Sequence, residues 1–188
     1  MSMKNTISFI WEVVKIVLVA LVIVVPIRYF LFQPFLVDGE SMEPNFEEGD
    51  YLIVDELSYR MREPKRGEVI VFKAPSSPST RYIKRIIGLP GETVEIKDGI
   101  VMVIKDNQAE IIDESTYLPK DLKTVGNTMI SIPDNEFFVL GDNRSVSSDS
   151  RTWGLLPRKN IIGRVYVRVW PFTAFAKIEK PTYEIING

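Results

Sequence analysis

A chain of 188 residues with 45% hydrophobic and 26% charged residues holds one folded domain and an appendage, and its composition excludes a disordered protein. A formal charge of −2, with 23 basic and 25 acidic residues and no basic block, argues against nucleic acid as a partner. The chain has neither Cys nor His, which excludes disulfides, thiolate chemistry, the usual general base and nearly every zinc pattern.

Residues 7 to about 36 are dominated by apolar side chains. The cleanest run, Ile16 to Ile27 between Lys15 and Arg28, is alone too short for a bilayer, which needs about 20 residues. Extended through Phe32 it becomes long enough, with Lys15 and Arg28 free to snorkel towards opposite interfaces. Trp11, Tyr29 and Phe30 suit an interface, and membrane helices tolerate a bend such as Pro26 imposes. The expectation is a transmembrane anchor over residues 16–35, after a short cytoplasmic segment, 1–15. The rivals are a cleaved signal peptide, disfavoured because no small-x-small site follows, and a buried core helix. Lys4 and Lys15 precede the run, and Tyr29 to Tyr59 contains no Lys or Arg. That pattern places the N-terminus inside and residues 36–188 outside the cell membrane, as a single-pass protein.

Directly after this run comes Asp38-Gly39-Glu40-Ser41-Met42-Glu43-Pro44. Gly39 permits a tight path, and Pro44 pushes Glu43 towards an extended conformation. Ser41 is then either a turn residue or a nucleophile, and spacing alone favours the turn.

The remainder reads as mostly β. Tyr51–Val54, Glu68–Ala74, Arg81–Ile87, Thr93–Lys97, Ile100–Ile104, Thr128–Ile132, Glu136–Leu140 and Ile162–Trp170 are short strand segments broken by Gly/Pro turns. Asp98-Gly99 predicts a hairpin with a type I′ turn. Residues 75–80 predict a loop, and residues 105–127 an exposed polar excursion. No Rossmann, Walker, metalloprotease or calcium-loop motif is present. The architecture expected is an antiparallel β-barrel or sandwich.

With His and Cys absent, a hydroxyl nucleophile needs a base from Lys, Tyr, Asp or Glu. Lys84 is the best placed: in a strand it shares a face with Tyr82 and Ile86, while Arg81, Ile83 and Arg85 point away. An apolar setting would lower its pKa towards the working range of a base; the bland alternative is a strand lysine with its head in solvent. No S-x-x-K or G-x-S-x-G motif is present, so a Ser/Lys pair has to be assembled in space. The densest polar stretch, Gly141 to Arg151, is either a turn-rich surface loop or a scaffold in which Asp142 or Asp149 pairs with Arg144 or Arg151. The two arginines oppose a divalent cation there. Asn143-Arg144-Ser145 forms a glycosylation sequon, meaningful only in a eukaryotic secretory host.

Four stretches in order, Gly39–Pro44, Gly49–Val54, Arg81–Gly88 and Gly141–Arg151, together resemble type I signal peptidases, in the single-anchor form common in Gram-positive-type bacteria. The resemblance implies a membrane-anchored serine endopeptidase that removes signal peptides from exported preproteins. It implies Ser41 as nucleophile, Lys84 as general base and Ser147 as the hydroxyl orienting the amine. Asp149 and Arg151 match a structural ion pair, Asp142 and Arg144 belong to the same scaffold, and Met42 belongs to the wall of the substrate site. Gly39 stands where some members carry a serine that assists the oxyanion hole, which leaves the backbone N–H of Ser41 as its chief donor. The implied partners are signal peptides of secreted preproteins, the lipid bilayer and the protein translocation machinery, with no metal or cofactor. The substrate is expected as an added strand, with small side chains first and third before the cut. A self-cleaving repressor of related fold lacks the apolar N-terminus, and an inactive relative would lack Ser41 or Lys84.

Overall fold

The alternation of apolar and polar residues between Tyr51 and Trp170 resolves into two antiparallel sheets. The computed structural model describes residues 3–30, 32–181, 183 and 185–187. In chain order, helix α1 (Met3–Phe30) precedes β1 (Phe32–Leu36), β2 (Tyr51–Asp55), helix α2 (Ser58–Met61), β3 (Val69–Ala74) and β4 (Ser77–Gly88). There follow β5 (Thr93–Lys97), β6 (Ile100–Lys105), β7 (Gln108–Ile112), β8 (Thr128–Ser131) and β9 (Glu136–Leu140). The chain continues through α3 (Ser150–Trp153), β10 (Leu156–Pro157), β11 (Ile161–Trp170), β12 (Ala176–Lys177) and β13 (Ile185–Asn187).

The larger sheet runs β1-β2-β11-β3-β4-β9-β10, with β12 added to β11; the smaller runs β13-β7-β6-β5-β8. Strand period explains the core. On β3, Val69 and Val71 pack with Val37, Met42, Leu52 and Ile83. Ile70 and Phe72 pack on the other side with Ile86, Phe137 and Val139, so β3 is buried on both faces. The β5–β6 turn has positive φ at both Asp98 (54°) and Gly99 (86°), as a type I′ turn requires.

The expected anchor is overturned. Among the described residues no helix is long and apolar enough to cross a membrane. The uninterrupted apolar run, residues 16–27, rises only about 18 Å at 1.5 Å per residue, against a hydrocarbon core of about 30 Å. The chain also leaves the helix at Phe30 and enters β1 at Phe32, so it cannot carry an anchor to residue 35. The transmembrane helix, the single-anchor form and the single-pass topology therefore fall together, and the cell-membrane location loses the ground it was expected on.

Two segments expected to be irregular form strands instead. Ser77 to Thr80 extend β4, and the 105–127 excursion contains β7, on which β13 pairs.

Candidate active site

Strand β4 lies between β3 and β9, and Lys84 pairs in register with Ile70. Its neighbours bury it to 3% exposure. The amine donates to Ser41 Oγ at 2.7 Å and to the Ile83 carbonyl at 2.9 Å, and stands 5.6 Å from the centre of the Tyr82 ring. The two chemically promising residues, 43 positions apart, thus meet. Burial pushes the Lys84 amine down from its ordinary 10.5 to about 8, against the pull of Asp149 and Asp142.

Ser41 is presented by consecutive turns. Glu43 N–H donates to the Glu40 carbonyl at 3.1 Å, and Phe46 N–H to the Met42 carbonyl at 3.0 Å. Gly39 has φ of +88°, which L side chains rarely adopt, so the backbone here favours glycine over a side chain such as serine. The Ser41 carbonyl accepts from Asn143 N–H at 3.1 Å, which ties this loop to the Gly141–Arg151 stretch. Among the described residues the Ser41 N–H has no acceptor.

That stretch is an ion-paired support. Asp149 accepts from Arg151 Nε and Nη2, both at 2.8 Å, and from Gly141 N–H at 3.0 Å. Burial raises the Asp149 carboxyl, but these donors outweigh it and hold the group below its usual range. Asp142 does not pair with Arg144. It accepts from Arg85 Nε at 2.8 Å and Nη2 at 2.6 Å, and from Asn45 Nδ2 at 2.9 Å. Arg144 instead donates to the Gly141 carbonyl at 3.0 Å, to Glu114 and to Thr124 Oγ1. Sequence reasoning does not find Arg85, Glu114, Thr124 and Asn45 as site residues, because local spacing carries no sign of partners so distant along the chain.

Two expected roles are placed differently. Ser147 Oγ is buried, and among the described residues it makes no hydrogen bond to the Lys84 amine. Met42 is wholly buried in the core and does not line the cavity at Ser41. That cavity, about 420 Å³, is walled by Asp38, Glu40, Glu48, Tyr82 and Val146 around Ser41 and Lys84. Among the described residues no group of three or more acidic side chains is placed to hold a metal ion.

Residues 10–170 match the family described as signal peptidase, peptidase S26. The chain is 36% identical over 183 residues to a probable signal peptidase I-1 of Synechocystis sp., covering 94% of this chain and 90% of that one. It is 37% identical over 177 residues to signal peptidase I of Leptolyngbya laminosa, covering 90% and 84%. Against signal peptidase IB of Staphylococcus aureus it is 35% identical over 170 residues, covering 84% and 87%. A crystal structure of a signal peptidase I from Enterococcus faecalis superposes on 55% of this chain and 97% of that one, with a TM-score of 0.46 and 28% identity. A family match from residue 10 to residue 170, with relatives this similar along most of their length, shows that the chain belongs to the signal peptidase family, peptidase S26.

Proposed function

We propose that the protein is a serine endopeptidase that cleaves signal peptides from exported preproteins, with Ser41 as nucleophile and Lys84 as general base. The observation that carries this is the 2.7 Å contact between a nine-tenths-buried lysine amine and a serine hydroxyl. An ammonium cannot accept a proton, whereas an amine titrating near 8 is neutral in about a tenth of molecules at pH 7. The neutral amine takes the Ser41 proton as Oγ attacks the scissile carbonyl. The Ser41 N–H, without an acceptor of its own, donates to the oxyanion. The Lys84 ammonium then protonates the leaving amine, and the same lysine activates the water that hydrolyses the acyl-enzyme.

Ser147 acts as a positioning residue, its buried hydroxyl turning to the Lys84 amine when the lysine is neutral. Asp149 with Arg151 and Asp142 with Arg85 hold the loop that receives the Ser41 carbonyl, and Arg144 braces it from behind. Met42 serves the substrate wall from beneath, by anchoring the Ser41 loop. Exposed Trp170, Phe172 and Phe175 support an apolar surface that rests against a lipid bilayer. The test is cleavage of a preprotein whose signal ends in a small-x-small motif. Ser41→Ala and Lys84→Ala are expected to fold and to lose cleavage, and retained cleavage by either purified variant overturns the assignment.

A further inference from the structure

Inside the domain, carboxylates have cationic partners. Every buried one among the described residues, namely Asp50, Asp55, Glu68, Glu92, Asp142 and Asp149, faces an arginine within 3.0 Å. Asp38, Glu40 and Glu48 lie outside that set. They are exposed, and among the described residues their side chains have neither an ion pair nor a hydrogen bond. All three line the cavity that holds Ser41 and Lys84. Among the described residues Lys84 is the single cation in that lining, and it is buried, with its amine turned to Ser41.

With Ser41 and Lys84 read as the catalytic pair, a peptide carbonyl enters this cavity. The three carboxylates therefore face substrate. Unpaired charges of one sign on the wall of a cleft focus their field into it, raising the local concentration of opposite charge and penalising like charge. We propose that Asp38, Glu40 and Glu48 are specificity-determining residues that favour preproteins with Lys or Arg close to the cleaved bond and disfavour those with Asp or Glu there. This rests on the reading of Ser41 and Lys84 as the catalytic pair. The selection acts on substrate capture more than on turnover, because the carboxylates line the cavity with no hydrogen bond or ion pair to Ser41 or Lys84 among the described residues.

The test uses three peptides that differ only in carrying Lys, Gln or Glu at the second residue on each side of the cleaved bond. Those positions avoid the small residues expected first and third before it. Binding is measured to the Ser41→Ala chain by fluorescence anisotropy. The Lys peptide is expected to bind about tenfold more tightly than the Glu peptide at low salt, with Gln between them. The difference should shrink to about twofold at roughly 0.5 M salt. It should shrink likewise when Asp38→Asn, Glu40→Gln and Glu48→Gln are added, with each single amide giving part of the loss. Circular dichroism checks that these isosteric changes leave the fold intact. Equal affinity for all three peptides, no binding of any, or a preference that survives the triple substitution overturns the proposal. Cleavage by the chain that retains Ser41 tests the catalytic pair separately. Charge-selective binding without cleavage refutes the catalytic pair and leaves the selector standing, whereas cleavage without selection does the reverse.

Discussion

A lysine amine buried beside a serine hydroxyl costs the folded chain stability at neutral pH. The amine titrates near 8 in the folded protein and at 10.5 when unperturbed, burial being the main cause. Below pH 8 the folded chain must hold a proton that desolvation disfavours, at a cost of about 3 kcal/mol. Between about pH 8 and 10.5 the unfolded chain binds more protons than the folded one, so this term raises stability as pH rises and the penalty vanishes above the window. Lys84→Met should therefore be about 3 kcal/mol more stable than the parent in urea at pH 7, and inactive. Its advantage should narrow as pH approaches 10. The rate of preprotein cleavage by the parent should climb with pH through about 8, and a profile flat from pH 6 to 9 would speak against Lys84 as the base. Lys84 is legible in the sequence because strand alternation puts it beside Tyr82. The Ser41 contact is not, since nothing local to either residue encodes a meeting across 43 positions.

Strand β4 serves two purposes through its alternation. Lys84 turns to Ser41, and Arg85 turns away into a buried pair with Asp142, with side-chain exposures of 5% and 1%. Removing one member of such a pair leaves an uncompensated buried charge. Asp142→Ala should lose about 3–5 kcal/mol in urea denaturation, while Arg85→Met combined with Asp142→Leu should lose far less. The loop after β9 is as tightly specified. A Cβ on Gly141 would overlap Ser147 Oγ and the Ser41 carbonyl oxygen, so Gly141→Ala should lower turnover by about 100-fold through misplacement of Ser41, with circular dichroism unchanged. The sequence shows that Arg85 points away from Lys84, but not what waits for it 57 residues on. Ser77–Thr80 do not read as strand because Pro78 and its hydroxyl neighbours have the composition of a loop. The structure accepts them because this end of β4 is exposed, where a missing ladder donor costs little.

At the scale of the molecule, the segment between β7 and β8 braces the loop that carries Asp149. Glu114 and Thr124 both accept from Arg144, which is 2% exposed, and Leu118 is buried. Most polar residues of the 105–127 segment are exposed, as their composition suggests, but Glu114 and Thr124 turn inward as partners of one buried guanidinium. Arg144→Ala, which strands those acceptors, should lower the urea midpoint by the equivalent of about 3 kcal/mol and reduce cleavage with it. Short alternating strands make the β architecture legible, and an apolar run makes an anchor plausible; length decides against the anchor, because its clean portion covers too little of a bilayer. The bond from Asn143 N–H to the Ser41 carbonyl has a consequence in time. As the chain emerges from the ribosome, Ser41 and Lys84 appear early, but the loop that holds the Ser41 carbonyl is made only after two thirds of the protein. A growing copy thus lacks this tie on Ser41 until about three quarters of its chain has been made.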